Sequence, residues 1–138
     1  MDYSDLIKYL KVCDQNIQTL HRHLRSDNFF EEHEVLGEYY EKIGEFIDTI
    51  VEIALSLGYQ DVSIKEAIEQ YNLLDCRDYT RKEAFNYVYK AFNEIINIMD
   101  DLKETIPGFI TGKFEEIQYY LNIEANYKIT RLFKAKLD

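Results

Sequence analysis

The sequence lacks tryptophan and has few residues that interrupt helices. Its 138 residues include one proline and five glycines, while 46% of them are hydrophobic. A chain of this length can bury one sizeable core, and so few helix breakers favour an all-α fold in a single domain, residues 1–138. No run of 18 apolar residues is present, which argues against a helix that spans a membrane.

Positive charge is also scarce. The chain has 16 basic and 26 acidic residues, which gives a net charge of −10. A nucleic-acid-binding domain usually presents a basic face or tail, so DNA binding is not expected. The N-terminal segment MDYSDLIKYL has neither the basic region nor the apolar region of a signal peptide, and a cytoplasmic location is therefore expected. Cys13 and Cys76 do not form a CxxC pair, and both are expected to be free thiols.

Apolar residues recur at spacings of three and four in the first half of the chain, which is the period of an amphipathic helix. This pattern predicts a first helix over about residues 3–25 and a second over about residues 29–57. Asn28 followed by Glu31 resembles a capping box at the start of the second helix. Gly58 is suited to end that helix, because glycine readily adopts the left-handed conformation of a C-terminal cap.

The second half of the chain repeats this pattern after a longer connection. A capping box at Ser63 predicts a short helix that ends near Tyr71. Thr80 opens a third long helix that ends near Thr105, and a fourth continues to about Lys136. These elements predict a four-helix bundle with a short helix in the crossover between the second and third long helices.

Histidines near the first turn and carboxylates on the second helix form a candidate metal site. His21 lies near the end of the first helix and His33 one turn into the second, so a short antiparallel hairpin can bring their imidazoles together. Asp48 and Glu52 form an i, i+4 pair on one face of the second helix. Imidazole and carboxylate ligands together suit iron, manganese or zinc.

The length of the second helix separates these histidines from these carboxylates. His33 and Asp48 are 15 positions apart, which is about 22 Å along a helix axis, so they cannot bind one metal within a single chain. Two copies of the helix can pack antiparallel about a two-fold axis that passes between Tyr40 and Glu41. His33 of one copy then lies opposite Asp48 of the other. The candidate site therefore requires at least a dimer.

Two glycines agree with the same two-fold arrangement. The axis that pairs His33 with Asp48 also pairs Gly37 with Gly44. A glycine inside a helix costs about 1 kcal/mol relative to alanine, and glycine at both positions lets the two helices approach closely. The glycines therefore support a close contact between two copies of the second helix.

The stretch from Leu20 to Gly58 resembles the Dps family (DNA-binding proteins from starved cells), a group of small ferritin-like proteins. The resemblance lies in the segments NFFEEHE and IDTIVEIALSLG and in the spacing of His21, His33, Asp48 and Glu52. The order of the predicted helices, including the short one in the crossover, matches the family over nearly the whole chain. The resemblance implies a ferritin-like four-helix bundle.

The resemblance also implies a function and an assembly. In the family these four positions form a ferroxidase centre between two subunits, with the histidines from one chain and the carboxylates from its partner. The protein is thus expected to bind iron, to oxidise Fe(II) with peroxide or oxygen and to store the ferric product. The family's shared assembly is a hollow shell of twelve subunits, which implies a homo-oligomer that is at least a two-fold dimer.

Three features depart from the family pattern. Gly37 stands where the family usually has an aspartate, so the metal site lacks one ligand or recruits Glu34, Glu38 or water. Arg22 stands where the family typically has a tryptophan. The basic terminal tails that some members use to hold DNA are missing from this sequence, in keeping with its acidic charge.

Simpler interpretations of the same residues stay open. His21 and His33 can be polar residues at a turn between helices, and the acidic stripe on the second helix can be a solvated face. His23 lies off the face of His21 and is expected to be exposed. An alternative function is therefore a ferritin-like oligomeric structural or binding protein with weakened catalysis, which Gly37 favours.

Overall fold

A computed structural model describes residues 2–132, and these fold into a bundle of four long helical segments. In chain order the elements are α1 (Tyr3–His23), β1 (Leu24–Arg25), α2 (Phe29–Ser56), α3 (Ile64–Gln70), β2 (Tyr79–Thr80), α4 (Arg81–Lys103), α5 (Gly108–Tyr119), a π-helical segment (Tyr120–Asn126) and α6 (Tyr127–Leu132). The last three elements follow one another without a break and form the fourth long segment. The predicted all-α bundle, with the short helix α3 in the crossover, is confirmed.

The core lies between the apolar faces of the four segments. α1 packs against α2 and α4, and α4 packs against α5 and the π-helical segment. Phe85 and Phe92 of α4 and Phe114 of α5 are fully buried. Both cysteines are free, as predicted, with Cys13 buried in the core and Cys76 exposed. No helix within residues 2–132 combines the length and the apolar character needed to cross a membrane.

Local hydrogen bonds define the start of α1 and the end of α2. The Asp2 carboxylate accepts from the N–H of Asp5, and the Asp5 carboxylate accepts from the N–H of Asp2, both at 3.0 Å. At the end of α2, Gly58 has a φ of 89°, and the N–H of Tyr59 donates to the carbonyl of Ala54 (2.9 Å). These are the features of a Schellman cap, so the predicted helix stop at Gly58 is confirmed.

The predicted capping box at the start of α2 is wrong. Asn28 has φ −109° and ψ 45°, and its side chain accepts no hydrogen bond from the helix. The Ser26 hydroxyl instead accepts from the N–H of Asn28 (3.1 Å) and donates to the Glu32 carboxylate. Glu32 is 5% exposed, and its carboxylate lies 2.6 Å from Nε of Arg81. This buried carboxylate ties the start of α2 to the start of α4.

The caps predicted for α3 and α4 are present. The Ser63 hydroxyl accepts from the N–H of Glu66 (3.2 Å) at the start of α3. Thr80 and Glu83 form both hydrogen bonds of a capping box at the start of α4. Because these caps satisfy N–H groups that a helix leaves free, they fix where each helix begins. α4 ends at Lys103, two residues before the predicted position.

A short parallel pairing of β1 and β2 was not predicted. Leu24 lies opposite Tyr79, and Arg25 lies opposite Thr80. β1 follows α1 directly and β2 precedes α4 directly, so the pairing joins the α1–α2 turn to the end of the crossover. It thereby holds one end of the bundle together next to His21.

Asn16 of α1 anchors the middle of the crossover. Its side-chain oxygen accepts from the N–H of Leu74 (2.8 Å), and its amide donates to the carbonyl of Asn72 (3.1 Å) and to the hydroxyl of Tyr87 (2.9 Å). Asn16 is 2% exposed, and all of its polar atoms are paired. A buried amide thus replaces the regular backbone hydrogen bonds that this irregular segment lacks.

The fourth segment differs from the continuous α-helix that was predicted. Its middle part, Tyr120–Asn126, is π-helical. Asn126 is buried there and donates to the Asn93 side chain (3.0 Å) and to the carbonyl of Tyr89 (3.3 Å) on α4. The apolar period of three and four cannot distinguish such a stretch from an α-helix. The predicted end at Lys136 lies outside the described residues.

Candidate metal centre

The imidazoles of His21 and His33 face each other across the turn between α1 and α2. Their rings are stacked, with centroids 3.7 Å apart and planes inclined by 14°. Nδ1 of His21 lies 2.6 Å from the backbone carbonyl oxygen of His33, and Nδ1 of His33 lies 2.7 Å from the backbone carbonyl oxygen of His21. We call these two rings the imidazole pair. A single chain therefore brings the two predicted histidine ligands together.

The two contacts fix the tautomer of each ring. A backbone carbonyl only accepts hydrogen bonds, so each Nδ1 carries a hydrogen and donates it. In a neutral imidazole the other ring nitrogen, Nε2, then keeps a free lone pair. Metal-bound histidines commonly donate their second ring N–H to a carbonyl or carboxylate, which orients the ring and makes the ligating nitrogen more basic. The reciprocal contacts of the imidazole pair therefore use both Nδ1 atoms and leave each Nε2 free to act as a ligand.

The protonation state of His21 suits the same role. Burial lowers the pKa of its imidazole, and the charges of His33 and Arg22 lower it as well. The hydrogen bond to the His33 carbonyl and the charge of Glu41 act in the opposite direction without reversing the shift. His21 is thus neutral at neutral pH, which is the state in which an imidazole binds a metal.

Two further aromatic rings pack against the imidazole pair. The Phe29 ring stacks on His33 with centroids 4.9 Å apart, and the Tyr40 ring meets His21 edge-on at 5.3 Å. Sequence reasoning did not assign these residues to the site. Their spacing could have indicated them, because Phe29 lies four residues before His33 and Tyr40 seven after it, on the same face of the helix. These rings restrict the imidazoles to the observed stack.

The imidazole pair lines an open surface pocket of about 480 Å³. The rest of its lining comes from α2: Glu34, Gly37, Glu38, Tyr40 and Glu41. The three glutamates are exposed. Among residues 2–132, no three His, Cys, Asp or Glu side chains are grouped so that they could hold a metal ion. Within one chain the histidines therefore lack the further ligands that a stable metal site needs.

Asp48 and Glu52 lie far from the imidazole pair. α2 runs without interruption through His33, Asp48 and Glu52, so its rise keeps residues 33 and 48 about 22 Å apart. Both carboxylates are exposed to solvent. The structure thus places the four candidate ligands in two separate groups on one chain. His23 was expected to be exposed, and it is half-buried.

The chain has a ferritin-like four-helix-bundle fold, similar to the folds of solved Dps proteins. Antigen TpF1 from Treponema pallidum superimposes with a TM-score of 0.88 at 24% identity, over 95% of this chain and 88% of that one. Dps92 from Deinococcus radiodurans gives a TM-score of 0.77 at 16% identity, over 95% of this chain and 82% of that one. The Dps protein from Vibrio cholerae O1 gives 0.72 at 18% identity, over 99% and 86% of the two chains.

These similarities confirm the predicted Dps-like, ferritin-like fold. The Vibrio cholerae protein is described as a member of a broad superfamily of ferritin-like diiron-carboxylate proteins. The sequence matches no family model and no curated protein. Because one fold can carry different functions, the function of this chain depends on its own candidate ligands.

Proposed function

We propose that the protein binds Fe(II) between two copies of the chain and oxidises it, as a ferroxidase and iron store of the Dps type. His21 and His33 of one copy and Asp48 and Glu52 of the other are the ligands. The observation that carries the proposal is the reciprocal hydrogen bonding of the imidazole pair. It uses both Nδ1 atoms and leaves each Nε2 available to a metal.

The need for two copies follows from the shape of α2. Among residues 2–132 of one chain, no three His, Cys, Asp or Glu side chains are grouped to hold a metal. Asp48 and Glu52 are exposed, and the helix rise places Asp48 about 22 Å from His33. An antiparallel two-fold pairing of α2 combines these incomplete halves into two complete sites. The proposed assembly is therefore at least a dimer, and similarity to Dps proteins supports extending it to a twelve-subunit shell.

The ligand set suits Fe(II) as a substrate. Two imidazole nitrogens and two carboxylates are donors that bind Fe(II), and the two carboxylates balance the charge of one divalent ion. Oxidation of two Fe(II) ions by one peroxide takes up two protons and gives two Fe(III) ions and two water molecules. The exposed glutamates beside the imidazole pair, Glu34, Glu38 and Glu41, supply a negative potential that attracts the incoming cation.

Subunit complementation tests the shared site. His33→Ala and Asp48→Asn should each abolish the iron oxidation that exceeds the rate in buffer. When the two variants are refolded together, each mixed pair regains one site with all four native ligands. Random mixing then restores about a quarter of the wild-type rate. Two inactive variants that recover no activity in mixed pairs would exclude a site shared between copies.

Light scattering on the same samples provides the control for assembly. The mass in solution should be at least twice that of the chain, and a mass near twelve chains supports the shell. A monomeric wild-type protein would contradict the proposed site directly. If a variant keeps the wild-type mass but no longer oxidises iron, the loss of activity comes from the changed ligand and not from a change in assembly.

Gly37 favours a second candidate function. A glycine supplies no side-chain ligand to the pocket that holds the imidazole pair, so the site has few donors for a metal. In this alternative the protein is a ferritin-like oligomeric structural or binding protein with weakened catalysis. Equal iron oxidation by wild type and His33→Ala, with unchanged assembly, would support it.

A further inference from the structure

Gly37 lies on α2 directly against the His21 ring. A Cβ atom built on Gly37 would be 3.0 Å from Cε1 and 3.3 Å from Nδ1 of that ring. The other glycine inside α2, Gly44, has no atom within 4 Å of its Cβ position, and neither has Gly112 of α5. Gly37 therefore differs from these two helical glycines, because the His21 ring fills the space that a side chain at position 37 would need.

Backbone conformation does not explain this glycine. Gly58 is the one glycine with a positive φ among the described residues, and Gly37 lies in the interior of α2. A glycine there weakens the helix relative to alanine. Its advantage must therefore lie in packing. Besides the proposed approach to Gly44 of a second copy, a side chain at position 37 would press on the His21 ring within the chain.

The His21 ring has little freedom to move away from such an atom. Its Nδ1 is held by the His33 carbonyl at 2.6 Å, one of its faces stacks on the His33 ring at 3.7 Å, and Tyr40 meets it edge-on. A shift of a few tenths of an ångström away from α2 would lengthen the hydrogen bond and disturb the stack. A side chain at position 37 therefore acts on both imidazoles.

We infer that Gly37 is a positioning residue of the imidazole pair. Because it has no side chain, the His21 ring can lie directly against α2. In this position both rings donate a hydrogen bond through Nδ1 and leave Nε2 free. The consequence for metal binding rests on the proposed function, but the placement of the rings does not. Gly37→Ala should displace His21, weaken the reciprocal hydrogen bonds and lower metal affinity.

The first test uses the metal-free protein. Ring-nitrogen NMR of wild type at about pH 8, above the ordinary pKa of a free imidazole, should show both His21 and His33 as Nδ1–H tautomers. Gly37→Ala should shift the ring-nitrogen signals of both residues, whereas Gly112→Ala, which also adds a methyl group inside a helix, should leave them unchanged. Signals that are identical in wild type and Gly37→Ala would overturn the inference.

The second test is a double-mutant cycle on melting temperature. Alanine at position 37 strengthens the helix but presses on the His21 ring, so Gly37→Ala should raise the melting temperature more in a His21→Ala background than in wild type. The expected difference between backgrounds is about 3 °C or more. Equal effects in the two backgrounds would show that position 37 and the His21 ring do not interact, even if Gly37→Ala alone is unstable.

The third test links the positioning to metal binding. Calorimetric titration with Zn²⁺ alone should show about 10–100-fold weaker binding to Gly37→Ala than to wild type, the usual cost of losing a group that orients a metal ligand. Gly112→Ala should bind as wild type does, and light scattering should show that Gly37→Ala keeps the wild-type mass, so that the loss of affinity is not a loss of association. Equal affinities for wild type and Gly37→Ala would overturn the link. A wild-type protein that binds no Zn²⁺ would instead count against the proposed function, while the metal-free spectra still decide the role of Gly37.

Discussion

His21 and His33 each donate a hydrogen bond from Nδ1 to the backbone carbonyl of the other residue, at 2.6 and 2.7 Å. This reciprocal relationship joins the last turn of α1 to the second turn of α2 through hydrogen bonds that use only Nδ1. A structural role at the turn and a role as metal ligands are therefore compatible, because the first uses Nδ1 and the second uses Nε2.

Removal of the His33 ring should destabilise the metal-free fold. His33→Ala loses one hydrogen bond and the stacking contacts with His21 and Phe29, and we expect the free energy of unfolding to fall by about 1–2 kcal/mol. Urea denaturation at about pH 8, with a chelator present, measures this effect. His23→Ala is the matched control, since its ring takes no part in the imidazole pair. Equal losses in the two variants would show that the reciprocal contacts contribute nothing to stability.

Stability should depend on pH through His21. Its pKa in the folded protein lies below the ordinary value of 6.5, so the unfolded chain binds the proton more tightly. The stabilisation is fully present above pH 6.5 and is lost as the pH falls through the lower folded pKa. Melting temperatures from about pH 8 to about pH 5 should fall more steeply for wild type than for His21→Gln. Parallel curves for the two proteins would contradict this assignment.

The helices could be predicted from the sequence because their signals are local. Apolar residues at spacings of three and four define the faces that pack in the core, and Thr80 and Gly58 act on their own helix ends. The cap at Asn28 could not be predicted, because it is replaced by Ser26 and by a carboxylate that pairs with Arg81 on another helix. Contacts between distant segments decide such positions.

The candidate site could be predicted only in part. The spacing of His21 and His33 predicted that a hairpin would bring their rings together, and the helix rise predicted that Asp48 would lie far from both. The tautomers depend on which carbonyl each Nδ1 meets, and the role of Gly37 depends on where the His21 ring lies. Both require three-dimensional packing that no residue pattern contains.

Asn16 should be necessary for an ordered crossover. Asn16→Ala removes the side chain that accepts from the N–H of Leu74 and donates to the carbonyl of Asn72, and we expect the free energy of unfolding to fall by about 1–3 kcal/mol. Hydrogen exchange should accelerate at Leu74 more than in α2. Asn97→Ala, at an exposed position of α4, is the control. Slow exchange at Leu74 in the variant would show that other contacts hold the crossover.

Gly44→Ala should separate the stability of the chain from its association. Within one chain the new methyl group meets nothing within 4 Å, so alanine should stabilise the helix by about 1 kcal/mol.

In the proposed two-fold pairing of α2, however, Gly44 lies opposite Gly37 of the second copy, and the methyl group should separate the two helices. Overpacking of about 1–3 kcal/mol weakens the dimer roughly five- to 150-fold, which sedimentation equilibrium measures. Gly112→Ala should stabilise the chain without weakening association. If Gly44→Ala also leaves the association constant unchanged, the two copies of α2 do not cross closely at this glycine.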